Sequence, residues 1–333
     1  LVDEEQELMN SITKTNISKD NIMQMVKKAF GEDTALKGVK ELKGGFFNTS
    51  YLLTFQDNRK VVLKISPSRD IKVMRYEKDI MVNEVCVLNK ISSDLYIPVP
   101  KVLFYDTDMD IIKRDYFFMN FVHGYPLNDV YDELTEIQRS NVSSELGIYA
   151  RKVTGIKSDY FGDISKKDKQ FKTWSETFLF MIKELLEDAR DNRVKLIYDY
   201  TDIYQMIEEH REALDMVKEP SLIHKDLWKG NIFVDPKTAE IGGIIDYERS
   251  IYGDVLMEPV CGFLLNNYAF MNSFLGRTYL EDDEKIRSIV YRIYLFIIMI
   301  TECSYRQYPW ENSDKWAREQ LGEAFEDLVN FEG

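Results

Sequence analysis

The sequence predicts an α+β protein of two lobes, a small antiparallel β-sheet lobe followed by a larger, mainly helical lobe. Strand-period runs dominate the first 120 residues, and helix-period runs fill nearly everything after Tyr125. The charge divides at the same place. Residues 1–120 hold 18 residues of each sign, whereas 121–333 hold 39 acidic against 25 basic, so the whole formal excess of −14 lies in the second part. The expected domains are therefore 1–120, β-rich with a leading helix, and 121–333, helical.

Ser18 to Phe30 repeats apolar residues at helical spacing (Ile22, Met25, Val26, Phe30), with Ser18 as its cap. From Val39 the period becomes that of strands. VKELKGGFFNTSYLLTF, a turn at Gln56–Asp57–Asn58 and RKVVLKIS read as strand, glycine turn, strand, turn, strand. Tyr76 to Ile91 places Ile80, Val85, Leu88 and Ile91 as the apolar positions of a helix that can cover the meander. The prolines of IPVPKVLFYD break it before another strand, and DYFFMNFVHG supplies a fifth strand ending at Gly124. Six helices are expected afterwards, over Asn141–Val153, Thr173–Ala189, Ile203–Val217, Pro259–Phe274, Asp283–Tyr305 and Lys315–Val329. Two short strands, NIFVD and IGGIID, interrupt them around a Pro236–Lys237–Thr238 turn.

With 333 residues and 44% apolar side chains, the chain can bury a substantial core, which excludes disorder and collagen as descriptions of the whole. The acidic second part should repel nucleic acid and anionic membrane and favour a cation. Cys86, Cys261 and Cys303 are too scattered for a disulfide framework or a zinc site, so a cytoplasmic location with all three buried is expected. The acidic start LVDEEQELMN is unlike a secretory signal, and the apolar run Ile293 to Ile300 is too short to span a bilayer.

The densest chemical signal is LIHKDLWKGNIFVDPKTAEIGGIIDYE. Asp226, Asn231 and Asp246 stand on a loop and the hairpin it feeds, which can bring them to one end of that hairpin. Two carboxylates and an amide oxygen are hard ligands suited to magnesium, and a carboxylate left off the metal can orient an attacking hydroxyl and take its proton. The competing reading is a polar loop of three unrelated residues. Lys64, flanked by Leu63 and Ile65 in a strand, points opposite to both, toward water or a cleft. Glu84 on the following helix is a candidate partner for it, with Glu77 the competitor. Gly44 and Gly45 fall between the first two strands, where backbone can approach a phosphate, although any hairpin tolerates such a pair.

In that order, LKGGFFNTSY, VVLKI, NEVCVLNKI, DYFFMNFVHG, IHKDLWKGNIFVD and IIDYERSIYGD resemble the superfamily of aminoglycoside phosphotransferases, choline kinases and fructosamine kinases, over about residues 38 to 305. The resemblance implies a bilobal protein-kinase-like fold whose first lobe binds ATP, or alternatively GTP, and whose second carries the catalytic loop, magnesium site and acceptor pocket. It implies Asp226 as catalytic base, Asn231 and Asp246 as magnesium ligands, and Lys64 on the phosphates with Glu84 holding it. Gly44 and Gly45 would lie by the phosphates. Phe118, Asn120 and Phe121 would form the hinge to the purine, between Ile65 and Ile245.

The chain has neither three spaced glycines in the phosphate loop nor an activation segment, which argues against a protein kinase. Lys225 stands where most superfamily members have a small residue. Solvent or a surface ion pair is favoured for it, contact with the transferred phosphoryl group being the other reading. Lys225, Trp228, Glu248 and Tyr305 are candidate acceptor-site residues. Trp174, Phe178 and Trp310 also fall in pocket-lining stretches, with core packing as the default. His224 is expected to hold its loop through a backbone hydrogen bond, and Glu258 to cap a helix. The acidic bias favours a cationic polyol acceptor, aminoglycoside-like. Choline or ethanolamine, homoserine, methylthioribose and fructosylated amines are alternatives, and a silent nucleotide-binding module is the reading from another class. A monomer or homodimer is expected.

Overall fold

The computed structural model describes residues 13, 17–42, 45, 47–92, 96–307 and 311–331. These fall into two compact units. The first comprises 1–73, 100–122 and 305–309; the second comprises 74–99, 123–304 and 310–333. The helix encoded at 80–92 thus groups with the second unit although it lies within the first 120 residues.

In the first unit, helix α1 (Lys19–Phe30) precedes strands β1 (Leu36–Leu42), β2 (Thr49–Phe55), β3 (Lys60–Ile65), β4 (Val102–Asp106) and β5 (Tyr116–Asn120). They form one antiparallel five-stranded sheet, as the strand-period runs predict, in the order β1-β2-β3-β5-β4. Ser18 accepts the Asn21 amide through its side chain and caps α1. Ile22, Met25 and Val26 of α1 then close over Tyr51, Leu53, Phe55, Leu63, Ile65, Tyr116 and Phe118, which alternate onto one sheet face. Each such apolar side chain removed from water contributes roughly 1.5–3 kcal/mol. Lys28, at the end of α1, binds Asp106, Asp108 and Asp110 at 2.7–3.0 Å and ties the helix to the end of β4.

The second unit begins with α2 (Ile80–Ser92), followed by β6 (Tyr125–Pro126), α3 (Leu127–Val130), α4 (Glu136–Thr154), β7 (Phe161–Asp163) and β8 (Gln170–Phe171). Then come α5 (Trp174–Asp191), α6 (Tyr200–Glu208), α7 (Arg211–Asp215), β9 (Ser221–Ile223), β10 (Ile232–Val234), β11 (Ile241–Ile244) and β12 (Ile251–Gly253). The last helices are α8 (Met257–Cys261), α9 (Tyr268–Leu275), α10 (Asp282–Arg306) and α11 (Glu311–Phe331). β11-β10-β6 form one small sheet and β8-β7-β12-β9 another. The β10–β11 turn is set by Asp235, whose Oδ1 accepts the amides of Lys237 and Thr238. Gly147 lets α4 approach α9 closely, since a Cβ there would come within 2.6 Å of the Phe270 carbonyl oxygen.

The expected helix over 203–217 is two helices, interrupted at Glu209–His210 without any glycine or proline to signal it. The expected helix over 259–274 is also two. Gly262 ends α8, Phe263 takes a positive φ of 56°, and the Asn267 side chain caps α9 by accepting the Phe270 amide. The strands β6, β7, β8, β9 and β12 were not expected, because two or three residues display no period. The cysteine expectation is corrected: Cys261 is buried, but Cys86 is exposed and Cys303 partly so; all three are free thiols. Trp174 and Phe178 are core residues at 0% exposure. Trp310 and Gly44 lie outside the described residues.

Candidate active site

β9 delivers the catalytic-loop segment. His224 follows it, Lys225 adopts a positive φ of 64°, and Asp226 comes next. The Glu258 carboxylate accepts the His224 amide at 2.6 Å and is bonded by the Lys225 amide, holding the bend from below. This role differs from the expected helix cap. Glu258 is fully buried, and burial pushes its pKa up to about 7 while the two amides pull it down.

His224 acts as the structural residue expected. Its Nδ1 accepts the Asp226 amide, so Nε2 carries the proton and donates to the Ile245 carbonyl at 2.9 Å. The Ile245 amide in turn donates to the Asn231 carbonyl. Both backbone groups of Ile245 are therefore held by the loop that bears Asp226 and Asn231, and Asp246 follows directly. Asp246 takes left-handed φ/ψ of 70° and 52°, a conformation that costs a non-glycine residue about 1–3 kcal/mol and that turns the chain off the end of β11.

Asn231 reaches Asp226 itself: its Nδ2 donates to the Asp226 carbonyl at 2.9 Å and to Oδ2 at 3.2 Å. The amide oxygen of Asn231 is not used in either bond. Burial raises the Asp226 pKa to about 7. The Arg249 guanidinium counters that rise, while Asp246, Glu302 and Glu248 add to it.

Carboxylate oxygens of Glu84, Asp246 and Glu248 lie within 4.8 Å of one another. α2 is pinned to the turn after Asp246, since the Asn83 amide donates to the carbonyls of Glu248 (2.9 Å) and Ser250 (2.7 Å). Glu84 is brought to Glu248 by that link. Three hard oxygen donors, one from α2 and two from the turn after β11, match the chemistry of magnesium.

Arg249 and Glu302 escaped the sequence reading. The Arg249 Nε lies 3.9 Å from Asp226 Oδ2, and its Nη2 bonds Glu302 Oε1 at 2.6 Å; the Tyr76 hydroxyl donates to the same Glu302 oxygen. The signal available was the basic residue directly after Asp-Tyr-Glu. Its partner is 53 residues away, a distance no motif spans.

The other expected site residues are placed as follows. In the first unit Lys64 is 6% exposed in β3, on the face opposite the core residues Leu63 and Ile65. Phe118 is buried in that core, and the Asn120 amide donates to the Lys101 carbonyl. Phe121 lies just past the end of β5. Gly45 has no positive φ, and a Cβ on it would make ordinary contact with the Asn48 carbonyl oxygen. Tyr305 also belongs to the first unit, with the Lys72 ammonium 4.9 Å from its ring centroid. In the second unit Trp228 is partly exposed and its ring covers Gly230, where a Cβ would clash at 2.2 Å. Lys225 corrects the favoured reading of solvent or a surface ion pair: it is 8% exposed and no ion pair engages it among the described residues.

A small antiparallel sheet unit, a larger helical unit and an Asp-x4-Asn loop beside a carboxylate-bearing hairpin define the protein-kinase-like architecture of phosphotransferases. The phosphotransferase enzyme family profile matches residues 38–281, and the chain belongs to that family. It is similar to the 4-hydroxytryptamine kinase of Psilocybe cyanescens, 24% identical over an alignment of 257 positions that covers 71% of this chain and 69% of the relative. In fold it resembles a protein of Thermobifida fusca provisionally named a fructosamine-3-kinase (TM-score 0.65, 16% identity, 94% of this chain and 100% of the other). It also resembles wild-type aminoglycoside 2'-phosphotransferase-IIIa, solved with GDP (TM-score 0.62, 15% identity, 94% and 99%). No helix among the described residues is long and apolar enough to cross a membrane.

Proposed function

We propose that this protein transfers the γ-phosphoryl group of ATP, with GTP the alternative donor, to a hydroxyl of a small amine-bearing molecule. The observation that carries the reading is the Asn231–Asp226 hydrogen bond next to the cluster of Glu84, Asp246 and Glu248. That arrangement offers one carboxylate to orient an acceptor hydroxyl and take its proton, and a separate set of oxygens for a metal. Asp226 is the base in this reading. Asn231 and Asp246, with Glu248 beside them, would hold magnesium, which when bound neutralises charge on the donor phosphates. Lys64 would clamp those phosphates with Glu84 as its partner. Gly45 would lie near them, and Phe121 and Ile245 by the purine.

Two features support an amine-bearing acceptor. All the excess negative charge lies in 121–333, and the relatives reported above bear names of kinases acting on an aminoglycoside, a fructosamine and 4-hydroxytryptamine, all hydroxylated amines. An aminoglycoside-like polyol is one form of that class, and the curated relative favours a second, a compact aromatic amine. The three free cysteines support a cytoplasmic setting.

The test is a coupled ADP-release screen over aminoglycosides, hydroxylated arylethylamines, choline, ethanolamine, homoserine, methylthioribose and fructosylated amines. Turnover with an amine, abolished in Asp226→Asn, is expected. Nucleotide binding with no acceptor-dependent release across the whole set would instead make the chain a silent binding module.

A further inference from the structure

Beside the catalytic loop, within the second unit, lies a cavity of about 60 Å³ that the phosphoryl-transfer residues do not use. Its walls include Tyr76, Asp163, Glu184, Asp188, Lys225 and Tyr294. A single water needs ~10–15 Å³ of such volume, so this one accommodates a few waters or one small polyatomic group, and no sugar ring.

The charges around it do not balance. Asp163 Oδ1 accepts from the Ser165 amide and hydroxyl and the Lys166 amide, and Oδ2 faces the Lys166 ammonium at 3.7 Å. Both oxygens of Glu184 are bonded by Lys169 at 2.6 and 2.7 Å. Asp188 is held by the Arg75 guanidinium at 2.5 Å and the Arg75 amide at 2.8 Å. Every carboxylate of the wall is thus matched by a cation. Lys225 is not matched: its ammonium has only the faces of Tyr294 and Tyr76, with ring centroids at 5.7 and 6.0 Å, and no hydrogen bond or ion pair among the described residues. The Tyr294 hydroxyl, on a side chain 3% exposed, likewise has no hydrogen-bond partner among them.

A buried ammonium without an anionic or hydrogen-bonding partner is costly, and a second idle donor on the same cavity compounds the cost. We infer that this cavity is a binding site for a small oxyanion, a carboxylate or phosphate group, held by the ammonium of Lys225 and the hydroxyl of Tyr294. Burial also lowers the Lys225 pKa to about 8, outweighing the raising effects of Cys261, Asp163 and Asp226. The oxyanion has two sources with the same chemistry, an acid group carried by the acceptor or a free ion. Only the first rests on the proposed phosphotransferase reading.

The experiment is thermal unfolding of the full chain in formate, acetate or phosphate against chloride at matched ionic strength. Wild type, Lys225→Met and Tyr294→Phe are compared. A saturable rise in Tm is expected for wild type, with apparent affinity about tenfold or more weaker in Lys225→Met and reduced in Tyr294→Phe. A wild-type Tm that responds to these anions no more than it does to chloride overturns the site, whatever the variants do, and so does an equal response in Lys225→Met. This arm needs neither nucleotide nor acceptor, so its failure is separate from a failed activity screen. Kinetics then separate the sources. An acceptor-borne acid gives a hydroxy acid a lower KM than its amide, with the advantage lost in Lys225→Met. A free ion leaves the two KM values equal while the Tm shift persists.

Discussion

The imidazole of His224 joins two chain segments that the sequence separates by 20 residues, donating from Nε2 to the Ile245 carbonyl at 2.9 Å while Nδ1 takes the Asp226 amide. Asp226, the proposed base, and Asp246, a proposed metal ligand, thereby share one hinge pin. His224→Ala removes it and leaves a buried carbonyl without its donor, which should cost roughly 1–3 kcal/mol in urea unfolding. Because the loop and Asp246 would then move independently, kcat should fall more than KM rises. A variant with wild-type kcat at reduced stability would show that the link serves folding alone.

Asp226→Asn keeps the shape of the base and its neighbours while removing the ability to take a proton. Nucleotide-induced stabilisation should be unchanged and turnover should drop by about 10²–10⁴-fold, the usual share of general-base catalysis. Loss of nucleotide binding in this variant would point to a structural or metal-ligating role instead.

Glu84, Asp246 and Glu248 place carboxylate oxygens within 4.8 Å of one another, a spacing that suits a shared divalent cation. Removing one charge by Glu248→Gln should shrink the stabilisation that magnesium gives. For wild type that stabilisation approaches about 2.7 kcal/mol at 100 times Kd. Equal magnesium shifts in the two proteins would remove Glu248 from the metal set.

The five-stranded sheet was legible because its strands are five to seven residues long and most either alternate, as Tyr51, Leu53 and Phe55 of β2 do against α1, or run continuously apolar, as in β5. β9 and β12 were not, since three residues carry no period, yet these strands set the position of the loop after Ile223 and of Asp254. The same division holds in the site. Asp226, Asn231 and Asp246 lie on adjacent elements and can be read from spacing. Pairing of Arg249 with Glu302 is decided by where α10 packs, and the burial of Lys225 by a cavity whose walls come from residues 76 to 294. Neither is written in local pattern. Asp254 makes the point most fully: its carboxylate takes the Arg287 guanidinium and the Tyr291 hydroxyl, each at 2.8 Å, and Tyr291 in turn accepts the indole N–H of Trp174. Those four residues span 117 positions from Trp174 to Tyr291, so only the fold assembles them.

Glu258 gives the site a pH signature in stability. Burial raises its pKa from the ordinary 4.5 to about 7, so the folded state favours the uncharged acid more than the unfolded chain does. A raised carboxyl contributes stability that is fully present below about 4.5 and is lost as pH rises through about 7. The span is worth on the order of 3 kcal/mol. Glu258→Gln cannot titrate, so this loss is absent from it, while Asp226, raised in the same direction and itself one cause of the Glu258 rise, titrates in both proteins. Urea unfolding at pH 5 and pH 8 should therefore show wild type losing more stability on alkalinisation than the variant does. The variant should be relatively weakest at pH 5, where the protonated acid is best accommodated. Parallel pH dependences would mean that the amides of His224 and Lys225 hold the carboxylate ionised throughout, and that its burial is fully compensated.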